Sequence, residues 1–241
     1  LGPIGTFTHF EELNSIIKKV VIENDDFENI LSIIYLQNKF NLDELYKDFP
    51  EYKDIIGSGG KEKRLTTKIF EQLSIFQDSA YFENEQNISV LGLIDNKRVY
   101  KFLPRKYLQS HDNIDKYKVI LPKSNGSGAI GEVLSTPLIG EPLIGYTQSF
   151  MSFGSFDEVS TAENVLKYIK TKFLRVMLGT LKITQDNNSD TWKNVPMQTF
   201  TPTSDIDWSK SISEIDQQLY KKYGLDEKEI TFVEEKVKAM D

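Results

Sequence analysis

The sequence predicts an α+β fold in which a mixed-sheet lobe is flanked by N-terminal and C-terminal helices. Apolar residues follow helical spacing near both ends of the chain, whereas runs rich in β-branched and aromatic residues lie between residues 88 and 153. The glycines of Gly57-Ser58-Gly59-Gly60 separate the first helices from the rest. We therefore expect a helical lead-in over residues 1–57, an α/β domain over 58–205 and a helical segment over 206–241.

The lead-in is predicted to hold three helices. Thr8 and Glu11 have the spacing of a capping box, and apolar residues then recur at helical intervals. A second amphipathic helix is predicted from about Asp26, and Pro50 interrupts a third. No residue in this acidic region indicates chemistry.

A β-hairpin is predicted next, from two β-prone runs, Ile88–Ile94 and Val99–Leu103, on either side of Asp95-Asn96. Basic residues cover its tip and second strand, and they are Lys97, Arg98, Lys101, Arg105 and Lys106. Charge of this kind can protect the edge of a sheet or contact a nucleic acid. Both interpretations stay open on this pattern alone.

The remaining elements follow from spacing and capping signals. Strands are predicted over residues 117–122 and 145–153, and a helix from Ser160 to about Leu178 carries Arg175 opposite its apolar stripe. Ser211 and Glu214 open another helix, which Gly224 ends in a Schellman motif. Asp226 and Glu229 begin the last helix.

A glycine loop after the strand at residues 117–122 matches the G-x-G-x-x-G pattern of dinucleotide-binding sites. Its glycines are Gly126, Gly128 and Gly131. Such a site needs a helix directly after the third glycine, but Pro137 and Pro142 prevent a long one. The loop is therefore interpreted either as a tight turn or as backbone that approaches a phosphate chain beside Lys123. A nucleotide-dependent enzyme is the weaker alternative.

Composition restricts the classes of function. The chain has no cysteine and 2 histidines, which argues against thiolate or histidine-rich metal sites and is typical of a reducing cytoplasm. It holds no apolar run that could span a membrane. The net charge is −7, yet residues 61–125 carry 12 Lys and Arg against 8 Asp and Glu, so basic charge is concentrated in the middle of the chain, beside the glycine loop. Residue 1 is leucine, and we expect the chain to be part of a longer protein.

Collinear motifs from about residue 60 to the end carry a resemblance to a known family. They are Gly92-Leu93-Ile94 with Asn96-Lys97-Arg98, Tyr117-Lys118-Val119 through Pro122-Lys123 and the glycine loop, Gly154-Ser155-Phe156, Ala162-Glu163-Asn164, residues 167–173 with Arg175, Lys182-Ile183-Thr184-Gln185-Asp186, Val195-Pro196-Met197-Gln198, and Leu219-Tyr220 with Tyr223-Gly224-Leu225. Together they resemble the target recognition region of the adenine-specific DNA methyltransferases of type II restriction–modification systems. Some of those enzymes join methyltransferase, recognition and nuclease modules in one chain.

The resemblance implies double-stranded DNA as the partner, together with the methyltransferase domain of the parent chain and, in the combined enzymes, a nuclease domain. The family's catalytic Asn/Asp-Pro-Pro-aromatic motif is missing, because the chain contains no Pro-Pro pair. Hence no catalytic residue, no metal ligand and no cofactor is assigned to this chain, and S-adenosylmethionine is implied for the parent protein only. The candidate DNA-contacting residues are Lys97, Arg98, Arg105, Lys106, Lys123, Gly126, Gly128, Gln148, Arg175, Lys182, Thr184 and Gln185.

The main alternative is a protein-interaction subunit, whose terminal helices dock partner chains and whose basic residues form only a solvated face. Salt-dependent binding to duplex DNA separates the two functions, because counterion release accompanies only DNA binding.

Overall fold

The computed structural model describes residues 8–57, 63–80, 85–124, 130–181 and 188–240, and it has the α+β fold that the sequence predicts. The strands are β1 Ile34–Tyr35, β2 Asn87–Ile94, β3 Lys97–Pro104, β4 Tyr117–Pro122, β5 Leu138–Gly140, β6 Ile144–Tyr146 and β7 Phe150–Phe156. The helices are α1 Glu11–Ile17, α2 Leu42–Asp48, α3 Tyr52–Ile56, α4 Ile69–Gln72, α5 Val159–Lys170, α6 Lys172–Gly179, α7 Ile212–Lys222 and α8 Glu227–Lys236. One sheet has the strand order β1-β7-β4-β5 and the other β3-β2-β6.

The chain divides into two compact units, each built from separate stretches of sequence. Unit 1 comprises Leu1–Ile34, Lys123–Pro137 and Ser160–Asp241, and unit 2 comprises Tyr35–Pro122 and Leu138–Val159. This division differs from the predicted boundaries after residues 57 and 205. The reason is that α2 and α3 pack into the core of unit 2, where Leu45 and Tyr52 lie in one apolar cluster with β2.

The predicted hairpin is confirmed as β2 and β3, which pair antiparallel from Asn87↔Pro104 to Ile94↔Lys97. Its two-residue turn consists of Asp95 and Asn96, with φ of 49° and 60°. Positive φ at both positions defines a type I′ turn, whose twist matches that of the strands. β6 pairs with β2 in parallel only as far as Leu91↔Tyr146, so residues 92–99 extend beyond it as a two-stranded ribbon.

A buried lysine ties together the segments around β4. Lys118 is fully buried, and its ammonium donates to the carbonyl oxygens of Asn113 at 2.7 Å, Lys116 at 3.0 Å and Glu141 at 3.2 Å. Burial lowers the pKa of Lys118 to about 7, and the nearby charge of Asp115 only partly opposes this. The bond to Glu141 anchors the connection between β5 and β6, where Leu143 has a φ of 65°.

Unit 1 is a helical assembly in which α7 caps α6. The Asp216 carboxylate accepts the backbone N–H groups of Lys172 at 3.0 Å and Phe173 at 2.9 Å. Thr171 adds a cap by accepting from the N–H of Leu174. The predicted single helix to Leu178 is therefore wrong, because the chain breaks at Thr171 into α5 and α6.

The predicted helix ends near the C-terminus are confirmed, whereas two predictions near the N-terminus are wrong. The predicted cap of Ser211 with Glu214 is confirmed as a capping box. The last helix begins after Asp226 as predicted, and Asp226 and Glu229 form a second capping box there. The Schellman end of α7 is also confirmed, because Gly224 has a φ of 61° and the N–H of Leu225 donates to the carbonyl of Tyr220.

At the N-terminal end, two predictions are wrong. α1 has no side-chain cap, because the Asn14 amide instead bonds both the N–H and the carbonyl of Thr8. The helix predicted from Asp26 is a short 3-10 turn, Ile30–Ile33, followed by β1. The Asn29 side chain caps this turn, and the N–H of Ile30 donates to the carbonyl of Val195, a tertiary bond that local spacing does not report.

Candidate nucleic-acid interface

Three segments of unit 2 meet at the tip end of the hairpin: residues 63–70, the β2–β3 ribbon and the turn between β6 and β7. The N–H of Gln148 in that turn donates to the carbonyl of Leu65 at 2.7 Å. The hydroxyl of Ser149 bonds that of Thr67 at 3.1 Å. These contacts fix the first segment against the turn.

The ribbon is held to the same segments by two side-chain contacts. A Cβ at Gly92 would lie 2.3 Å from Cε2 of Phe70, so only glycine allows α4 to cover the ribbon this closely. The guanidinium of Arg98 lies 5.9 Å from the ring centroid of Phe150, which directly follows the β6–β7 turn. The structure thus brings Arg98 and Gln148, two of the predicted DNA-contacting residues, to one end of the unit.

This end carries a set of cations that we call the basic rim, made of Arg64, Lys68, Lys97 and Arg98. Arg64, Lys68 and Lys97 are exposed. In the described ranges none of these three forms an ion pair with a carboxylate, although Lys101 of the same hairpin pairs with Asp78 at 2.5 Å. Cations of this kind are available to phosphate groups.

Two other predicted contacts, Arg105 and Lys106, have intramolecular partners. Arg105 donates two hydrogen bonds of 2.5 Å to the two carboxylate oxygens of Asp115, which raises the pKa of Arg105 and lowers that of Asp115. The ammonium of Lys106 lies 2.8 Å from Glu85 and 3.1 Å from Asp48, and the bonds to these two carboxylates raise its pKa. A phosphate would have to displace these carboxylates to reach either cation.

Arg175 does not face solvent as its spacing predicts. Its side chain is 2% exposed, and it donates from Nε to the carbonyl of Thr171 at 3.2 Å and from a terminal nitrogen to that of Lys238 at 2.5 Å. Burial lowers the pKa of Arg175 to about 10. The break at Thr171 rotates α6 relative to a continuous helix, which places Arg175 in the interior of unit 1 as a link between chain segments.

The remaining predicted contacts are only partly described. Lys123 lies directly after β4 and is half-buried. The other five residues, Gly126, Gly128, Lys182, Thr184 and Gln185, lie outside the described residues.

Gly131, the third glycine of the loop motif, is described and serves tertiary packing. Its φ is 77°, and a Cβ there would lie 2.5 Å from the carbonyl oxygen of Lys236 and 2.8 Å from Cα of Val237. Residues 130–137 contain no helix, so the element on which a dinucleotide pyrophosphate rests is missing after this glycine.

Arg64 and Lys68 are not among the residues that sequence reasoning selected. A signal for them is the basic run around Leu65, which with its apolar residues favours a short basic helix over residues 61–76. Among the described residues of this segment the structure has only α4, Ile69–Gln72. Their nearness to the hairpin depends on the Gln148–Leu65 and Phe70–Gly92 contacts, which sequence spacing does not reveal.

The described residues were also compared with two other kinds of site, a metal site and a membrane-spanning helix. Within the part of the chain that the structure describes, no group of three or more His, Asp or Glu side chains is arranged to hold a metal ion. No helix among these residues has the length and apolar character that crossing a membrane requires. No protein-family model matches the sequence, and no curated protein matches it significantly.

Proposed function

We propose that this chain is the DNA target recognition module of an adenine-specific methyltransferase or combined restriction enzyme in a bacterial restriction–modification system. The single observation that carries the proposal is the basic rim around the tip of the β2–β3 ribbon. It complements the family resemblance of residues 60–241.

The shape of the ribbon suits this role. The major groove of B-DNA is about 12 Å wide and admits a two-stranded β-ribbon. Lys97 begins β3 directly after the tip turn. In this proposal Lys97 and the other rim residues contact phosphates beside the groove. The acidic balance of the whole chain is compatible with binding because residues 61–125, which include the basic rim, carry more basic than acidic residues.

The module supplies recognition and leaves the chemistry to its parent protein. In this proposal the methyltransferase domain of the parent chain binds S-adenosylmethionine and transfers the methyl group, and a nuclease domain accompanies it in the combined enzymes. The DNA substrate places the assembly in the cytoplasm.

The proposal is tested by the salt dependence of duplex binding, measured by fluorescence anisotropy with the whole chain. Each lost phosphate contact reduces the slope of log K against log salt by about 0.9. The double variant Lys68→Gln/Lys97→Gln should therefore bind more weakly and lose up to about 1.8 from the slope.

Arg105→Gln/Lys106→Gln is the matched control, because it removes the same charge from cations that already have carboxylate partners. This control should keep the wild-type slope. Wild-type protein that shows no salt-dependent duplex binding would refute the proposed function. Equal losses in the two double variants would show that net charge, rather than the basic rim, determines binding.

A further inference from the structure

The turn between β6 and β7 presents one neutral side chain from a rigid backbone. The N–H of Thr147 donates to the carbonyl of Leu91 at 2.9 Å, that of Gln148 to Leu65 at 2.7 Å, and that of Phe150 to Thr147 at 3.0 Å. These bonds join the turn to the ribbon, to residues 63–70 and to itself. The backbone of Gln148 is therefore fixed before any ligand binds.

The Gln148 side chain is partly exposed, and its amide has no hydrogen-bond partner among the described residues. Its neighbours in the turn differ, since Ser149 bonds Thr67 and Thr147 is fully buried. Gln148 therefore offers a free donor and a free acceptor beside the basic rim. A fixed backbone lowers the entropy lost when such a side chain is ordered on binding.

We infer that Gln148 reads the edge of one base pair, with adenine of an A·T pair as its target in the major groove. The inference rests on the proposed function and assigns specificity to one residue within it. An amide can donate to N7 of adenine and accept from its N6 amino group, whereas cations provide the phosphate contacts. The rim would set the register of the duplex, and Gln148 would contribute sequence preference.

The test is selection of binding sites from a randomised duplex pool by the wild-type chain and by Gln148→Ala, Gln148→Glu and Gln109→Ala. Gln109 is the control because it is an exposed glutamine of unit 2 that follows the ion-paired Arg105 and Lys106. Gln148→Ala should lose the preference for A·T at one position and bind the best wild-type site about 5- to 150-fold more weakly. Its salt slope should not change, because no phosphate contact is lost.

Gln148→Glu should move the preference at that position to cytosine, whose N4 amino group donates to a carboxylate. Gln109→Ala should select the wild-type sequences. The inference is overturned if Gln148→Ala selects the same sequences as the wild type, or if it weakens all sequences equally with a shallower salt slope. In both cases salt-dependent duplex binding by the wild type would leave the proposed function standing.

Discussion

Arg105 holds Asp115 in a two-point ion pair, with both nitrogen–oxygen distances at 2.5 Å. The Gln86 side chain accepts a third bond from the same guanidinium at 2.9 Å. A cation in this arrangement stabilises the connection between β3 and β4. The ion pair distinguishes Arg105 from the exposed rim residues Arg64, Lys68 and Lys97.

The first prediction concerns the strength of this pair. A double-mutant cycle with Arg105→Ala and Asp115→Ala should give a coupling energy of about 0.2–1 kcal/mol, because both side chains are well exposed and water screens the charges. The measurement is urea unfolding at low and at 1 M salt, and the coupling should vanish at high salt. A coupling of several kcal/mol that salt does not change would contradict this interpretation.

A second prediction follows from the packing of Gly131. Gly131→Ala should destabilise the protein by about 2–4 kcal/mol, because a Cβ adds the strain of positive φ to a clash with the backbone at Lys236. Gly224→Ala is the control, since its φ is 61° and nothing lies within 4 Å of the added Cβ. The control should cost only about 1–2 kcal/mol in thermal or urea unfolding. Equal losses in the two variants would show that the contact with Lys236 has no energetic role.

The third prediction uses the burial of Lys118. Between its folded pKa of about 7 and the ordinary value of 10.5, the unfolded chain holds a proton that the folded chain lacks. The free energy of unfolding should therefore rise with pH across this window, by at most about 1.4 kcal/mol per pH unit from this group. Lys118→Met should remove this rise. The variant should also be less stable at every pH, because it lacks the hydrogen bonds from the ammonium to the carbonyl oxygens. Wild-type and variant curves that run parallel from pH 7 to 10.5 would refute the assignment.

The fourth prediction concerns Asp216, for which stability should change with pH in the direction opposite to that for Lys118. Burial raises the pKa of Asp216 to about 6 from 3.8, and the bonds from Phe173 and Lys172 only partly oppose this. Between these values the folded state holds a proton that the unfolded state releases, so stability should fall as pH rises from 3.8 to 6. Asp216→Asn keeps one acceptor for α6 and removes the titration, so its stability should not follow this fall. The measurement is urea unfolding of the wild type and the variant at several pH values. The same loss of stability with rising pH in both proteins would contradict the prediction.

The sequence predicts those elements whose signals are local. The β2–β3 hairpin follows from strand propensity and the Asp95-Asn96 turn, and the capping box of α7 needs only Ser211 and Glu214. The helix predicted from Asp26 is wrong because a distant bond, from Ile30 to Val195, competes with local spacing. α6 likewise begins where Asp216, far along the chain, caps it.

In the candidate site, too, the sequence does not predict which side chains are exposed when distant contacts decide it. Lys97 is exposed at the tip, as its position in the hairpin predicts, and Arg175 is buried against prediction. Composition reports the excess of basic residues, but it does not report which of them have carboxylate partners. Asp48, for example, is a partner of Lys106, although α3, α4, β2 and β3 lie between the two residues in the sequence.

Unit 1 is built from three separate stretches of sequence, and this affects the order in which the chain can fold during synthesis. Unit 2 is complete once Val159 is made, whereas α1 packs on α8, with Phe10 and Phe232 ring centroids 5.2 Å apart. At ~5–20 residues per second, α8 leaves the ribosome roughly 10–40 s after α1. The part of α1 that α8 covers stays exposed for that time, so it is accessible to chaperones and to aggregation. Limited proteolysis of nascent chains stalled before α7 is made should therefore spare unit 2 and cleave residues 8–34.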